Sequence, residues 1–143
     1  MAEVLINGRV LTPRGLEAAT VVIEGERIAE VRPAVAGERG LDLAGGYLLP
    51  GFIDAQVNGG GGALFTDTPT VAAIATIGAA HRRFGTTGFL PTLISDDLAA
   101  VATAIGAVDE AIAAGAPGVL GIHIEGPFLS SDRKGIHDAS KFR

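Results

Sequence analysis

The chain has 143 residues and no cysteine, which excludes disulfides and thiolate metal sites. It has no cluster of basic residues. Eleven Lys and Arg stand against sixteen Asp and Glu, for a formal net charge of −5, so the electrostatic footprint of a nucleic-acid binder is missing. No apolar run approaches the ~20 residues of a membrane span. Glu3 and Arg9 interrupt the short apolar runs at the start, so no secretory core is expected there. These absences predict a soluble, cytoplasmic protein with neither a nucleic-acid nor a membrane partner.

Two nucleotide signatures are also missing. The first strand-to-helix turn lacks G-x-G-x-x-G, and "NGGGGALF" (58–65) lacks the Lys-Ser/Thr pair of a phosphate-cradling loop. What is present is a chain 48% hydrophobic and 19% charged, enough apolar material for a real core and too much for disorder. Its 21 glycines suit tight turns and close helix–sheet packing.

Residues 1–50 read as short strands. "EVLINGRVL" is two apolar runs flanking Asn7-Gly8, a favoured hairpin turn. "TVVIEGERIAEV" repeats the pattern around Gly25, and "GGYLLPG" adds a short piece ended by Pro50-Gly51. This unit is too thin to cover both of its faces and is expected to need partner strands from elsewhere.

From 51 to 143 the texture becomes strand, helix, strand, helix, strand. "GFIDAQVN" is a strand running into the glycine run Gly59 to Gly62, which reads as a flexible loop. Thr68-Pro69 predicts a helix start, followed by Val71, Ile74, Ile77, His81 and Phe84 at helical spacing. "TTGFLPTLIS" is a second strand in which Pro91 must mark an end or a bulge. Ser95 or Asp96 should cap a second helix with Leu98, Val101, Ile105, Val108 and Ile112 on its apolar face. "GVLGIHIEG" is the third strand. Alternating elements of this kind imply a parallel sheet with outer helices, either doubly wound or closed into a barrel. The missing nucleotide signatures favour the barrel, which needs roughly 250 residues.

The reactive side chains gather at predicted strand ends, where ligands bind in both architectures. His123 and Glu125 face one side of the third strand. Glu125 can ligate a divalent metal or act as a base, or simply form a buried pair. His123 sits deeper, in a supporting position. Gln56 and Asn58 share a face at the end of the first of these strands, and they are poor zinc or iron ligands beside imidazole. His137 lies in a polar loop with Lys134 and Asp138, either solvated or gripping substrate. His81 reads as core or rim, and Arg82, Arg83, Arg133 and Arg143 read as surface charges.

Together, "LLPGFIDAQVNGGGG", "GFLPTLIS", "GIHIEGPFL" and "KGIHD" resemble the amidohydrolase superfamily. Its first-strand signature usually reads PGFID-x-His-x-His, and here Gln56 and Asn58 occupy the two histidine positions. With that replacement the chain resembles the N-acetylglucosamine-6-phosphate deacetylase family. The resemblance implies an α/β fold: the first three strands of a (β/α)8 barrel (51–143), preceded by part of a small β-sandwich domain (1–50). It implies Glu125 as a ligand of one divalent metal ion, zinc in the first instance, with iron or another divalent ion as alternatives. It implies Ile136, through its backbone, and His137 as contacts to a phosphorylated amino sugar. Gln56 and Asn58 would mark the vestige of another metal position. The family's other histidine ligands and its aspartate base would lie beyond Arg143. The chain is therefore expected to be the N-terminal fragment of a longer enzyme, homodimeric at full length and inactive as this piece. Two other readings stand beside it: an amidohydrolase acting on a cyclic amide or a nucleobase, and a non-catalytic ligand-binding module.

Overall fold

The computed structural model describes residues 2–143, which separate into two compact units, Met1–Pro50 and Gly51–Arg143. In the first unit β1 (Ala2–Thr12), β2 (Gly15–Glu24) and β3 (Arg27–Pro33) form an antiparallel meander. Two short strands, β4 (Leu41–Asp42) and β5 (Tyr47–Leu48), pair in parallel with β1 along its other edge. The core is small, built on Leu5, Val10, Ala19 and Val21. Leu11, Ile28 and Val31 remain exposed around an apolar groove of this unit that Leu48 and Pro50 also line.

The hairpin predicted at Asn7-Gly8 does not form. β1 runs straight through these residues, and the chain reverses between Thr12 and Gly15 instead. The register jumps from Leu5↔Val21 to Gly8↔Ala19, so two residues of β1 oppose one of β2. Asn7 is therefore part of a β-bulge, in the left-handed region at φ 54°. The backbone that leaves the ladder is satisfied by the next segment: Ile6 accepts from the Leu43 N–H and Asn7 from the Gly45 N–H. The Asn7 side chain donates to Asp42 Oδ1 at 2.8 Å, and the Ala44 N–H donates to the same oxygen at 2.7 Å. Those two donors, the amide first, hold the Asp42 carboxyl below its ordinary range.

The second unit is built on a three-stranded parallel sheet. β6 (Phe52–Val57) is followed by a hairpin of β7 (Gly59–Gly60) and β8 (Ala63–Leu64), then by α1 (Val71–Arg82). β9 (Thr86–Ile94), α2 (Leu98–Ala113) and β10 (His123–Glu125) complete it, in sheet order β10-β9-β6. The glycine run predicted as a flexible loop is this hairpin, because Gly61 and Gly62 both take positive φ. Pro91 lies within β9 opposite Val57, where the β6 register shifts.

Each helix has its N-cap one or two residues beyond the predicted one. Thr70, not Thr68, accepts from the Ala73 N–H, and Asp97 takes the N-cap of α2. Ile74 and Ile77 of α1 are fully buried against Phe65, Phe89 and Leu93. Phe84, counted in the same predicted stripe, lies past the helix end and is 80% exposed. On α2 the buried face is Ala104, Ala107, Val108 and Ala111, while Leu98, Ile105 and Ile112 face outward. Small side chains let α2 sit close to the sheet; the larger aliphatics do not define its inner face.

The bulge yields a stability prediction. Asn7→Val places a β-branched residue in the left-handed region and removes the Asp42 bond, and should cost about 1–3 kcal/mol. Asn7→Gly keeps the backbone conformation and loses only the side-chain bond, roughly 1 kcal/mol or less. Thermal or denaturant unfolding of the full polypeptide checks the order of the two variants.

Candidate functional site

Parallel pairing sets the site. β10 lies on β9 with His123 opposite Thr92 and Glu125 opposite Ile94, so Glu125 stands level with the end of β9. Alternation sends His123 and Glu125 to the same face. The His123 Nδ1 lies 3.3 Å from the Thr92 hydroxyl, one step deeper than the carboxylate.

The Glu125 carboxylate is gripped from two sides. Gln56, at the end of β6, donates from Nε2 to Oε2 at 3.2 Å. His137 Nε2 lies 3.3 Å from Oε1. The three groups come from positions 56, 125 and 137, which only the sheet and the loop after β10 bring together. Asn58 does not join them among the recorded side-chain bonds of the described residues; its carbonyl accepts from the Phe65 N–H and closes the glycine hairpin.

His137 is not a solvated loop residue: it is 7% exposed. Its Nδ1 faces two donors of Ser95, the hydroxyl at 2.8 Å and the backbone N–H at 3.3 Å. Ser95, one of the two expected caps of α2 beside Asp96, is instead buried and bonds across 42 positions to the loop histidine. Gly126 makes room for this contact. It sits at φ +92°, and a Cβ there would come within 2.1 Å of the Ser95 Oγ. Ile136, beside His137, is 89% exposed with its side chain in solvent.

The rest of the loop is tied to the start of α2. Lys141 bridges Asp96 and Asp97, and the Arg143 guanidinium reaches Asp97 at 3.4 Å, so Arg143 is not a free surface charge. The Arg143 N–H also donates to the Pro127 carbonyl. The Asp97 amide and then Lys141 hold the Asp96 carboxyl below its ordinary range. The Ser140 amide does the same for Asp138. His81, predicted as core or rim, donates from Nε2 to the Gly59 carbonyl at 2.9 Å and pins the glycine hairpin to α1. Arg82 likewise donates to the Pro117 carbonyl ahead of β10.

Among the described residues no group of three or more His, Cys, Asp or Glu side chains converges as a metal shell would. The site offers one carboxylate flanked by an amide N–H and an imidazole. That donor set fits one ligand's share of a divalent metal site, since catalytic zinc normally takes three protein ligands.

No family model matches the chain. Curated relatives do. The chain is 40% identical over 142 residues to the N-acetylgalactosamine-6-phosphate deacetylase of Shewanella sp. (strain ANA-3), covering 99% of this chain and 36% of that protein. It is 37% identical over 141 residues to the N-acetylglucosamine-6-phosphate deacetylase of Haemophilus influenzae, covering 96% and 37%. In three dimensions it superposes on the crystal structure of N-acetylglucosamine-6-phosphate deacetylase from Pasteurella multocida with a TM-score of 0.92 at 28% identity. That match covers 100% of this chain and 39% of the other. The resemblance to these deacetylases runs the whole length of the chain. The chain spans little more than a third of the length of the relatives it matches. No helix among the described residues is long and apolar enough to cross a membrane.

The loop anchor predicts a pH response. Because the Asp96 and Asp138 carboxyls are held low, their contribution is complete above the ordinary Asp range, about 4, and is lost as the pH falls through the lowered values. Amide shifts of residues 138–143 followed by NMR should therefore hold constant from neutrality to about pH 4 and move only below it. Lys141→Ala should produce a similar loosening already at neutral pH.

Proposed function

We propose that the polypeptide carrying this chain is a divalent-metal-dependent deacetylase that cleaves the acetamide of N-acetylglucosamine-6-phosphate to glucosamine-6-phosphate and acetate. The observation that carries this reading is the Glu125 carboxylate at the strand end, oriented by Gln56 and His137, in a chain similar to such deacetylases throughout. On this reading Met1–Pro50 is part of a small β-sandwich and Gly51–Arg143 supplies three strands of a (β/α)8 barrel. The open edges of β6 and β10 and the uncovered apolar side of the first unit support that assignment. The assembled enzyme would be a cytoplasmic homodimer, and nucleic acid and membrane play no part in it.

Glu125 holds one position of a single ion, zinc in the first instance. When bound, such an ion polarises the amide carbonyl and lowers the pKa of a water molecule. Gln56 and Asn58 are neutral amides that leave no second ion's ligand set on this chain. Gln56 instead spends an N–H on the Glu125 carboxylate, which keeps its other oxygen lone pairs directed at the mouth. His123 lies one step below and supports the strand end against Thr92. The loop after β10 reaches the sugar phosphate: His137 offers its Nε2–H, and Ile136 its backbone. A base carried on a later strand would take the proton of the attacking water and return it to the leaving amine.

One observation favours a close second reading, the galactosamine epimer as substrate. The relative named for it is the one at 40% identity. Acetate release from both 6-phosphorylated sugars by the full polypeptide separates the two.

Elemental analysis of that polypeptide should give one divalent ion per subunit, and two would contradict the single-ion site. Glu125→Gln should lower metal content and turnover together, because an amide cannot replace an anionic ligand. His137→Ala should lower metal content far less than Glu125→Gln does, because Gln56 still holds the carboxylate, and reduce kcat/KM about tenfold or more, the size of one charge-assisted hydrogen bond. Unchanged kinetics in that variant would remove His137 from the site.

A further inference from the structure

Ser95 stands outside every role assigned so far. It is the first residue after β9, and its neighbour Asp97, not Ser95 itself, caps α2. It is 6% exposed. Three contacts use its polar atoms. The backbone N–H and the hydroxyl both face His137 Nδ1, and the hydroxyl also lies 3.3 Å from the Glu125 carbonyl. A backbone N–H can only donate, so the nitrogen that faces it at 3.3 Å carries no hydrogen. The proton of the imidazole is then on Nε2, which is the nitrogen facing Glu125 Oε1.

We propose that Ser95 is a positioning residue of the site: its two donors lock His137 as the Nε2–H tautomer, so that the ring's one donor is held on the Glu125 side, where a bound sugar would take it. The proposal rests on the deacetylase reading for what the site acts on, but the tautomer itself does not. Geometry makes the lock specific. Rotation of the ring by half a turn would bring a carbon atom against the Ser95 backbone N–H and strand that donor in a buried place, which costs more than an ordinary hydrogen bond contributes, while the hydroxyl would be left with the Glu125 carbonyl as its acceptor. Gly126 is the complement: only a residue without Cβ permits the hydroxyl to lie where it does. The arrangement has the logic of other metal sites, in which a partner on one ring nitrogen sets what the other can do.

The test uses the full polypeptide, uniformly labelled with [15N]histidine. Long-range 1H–15N correlations distinguish the tautomers, and loss of one spin system in His137→Gln assigns the residue. The wild type should show His137 with its proton on Nε2. Ser95→Ala should weaken that preference and lower kcat/KM on N-acetylglucosamine-6-phosphate about tenfold, with metal content unchanged. Ser95→Thr, which keeps a hydroxyl, should retain the Nε2–H pattern. A wild-type His137 protonated on Nδ1 overturns the proposal, and needs no variant to fold. So does a Ser95→Ala enzyme with wild-type tautomer and wild-type kinetics. If the tautomer is as stated and neither 6-phosphorylated sugar releases acetate, the deacetylase reading fails and the Ser95 lock stands.

Discussion

The register of β10 on β9 is the constraint from which the site follows. With Glu125 opposite Ile94, the residue after Ile94 is Ser95, which therefore lies beside the carboxylate's own backbone. A slip by one residue would turn His123 and Glu125 to the opposite face and leave Ser95 without either partner. Gln56 arrives through the parallel pairing of β6 on the other side of β9. The central strand thus carries almost no chemistry itself: Thr92 is its buried polar residue, Ser95 follows directly after it and is buried too, and both face histidines.

The loop after β10 is held by two different kinds of interaction. Near the site the Ser95 to His137 bonds are buried and the His137 to Glu125 contact is partly buried. Away from it, Lys141 and Arg143 pair with Asp96 and Asp97 at partly exposed positions, where each pair contributes little by itself. Several together still fix where the loop lies. Ile136 is left almost wholly in solvent between the two anchors.

Much of this was legible from the residues, and what was not has identifiable causes. The order of β and α elements after Phe52 follows from apolar spacing, and His123 and Glu125 share a face because strands alternate. Asn7-Gly8 signals positive φ, but a bulge uses that conformation as readily as a hairpin turn, and the difference depends on Leu43 and Gly45 arriving to donate their N–H groups to the strand's carbonyls. The inner face of α2 was read in part: Val108 lies on it as expected, but periodicity also rewards Leu98, Ile105 and Ile112, whereas close packing selected Ala104, Ala107 and Ala111. Ser95 is the clearest case. A serine ahead of a helix reads as a cap, and only the fold reveals a partner 42 residues away. Likewise His137 could be read as solvated or functional until its burial against Ser95 and Glu125 was known.

The central claim is that Glu125 is the carboxylate around which this site is organised, with Gln56 and His137 orienting it toward a divalent ion. The most direct measurement is a crystal structure of the full polypeptide grown with zinc, read by anomalous scattering at the zinc edge. The account predicts one peak per subunit within about 2.0–2.2 Å of a Glu125 carboxylate oxygen, with Gln56 still on the other oxygen. A strong peak coordinated without Glu125, or a second peak between Gln56 and Asn58, would contradict it.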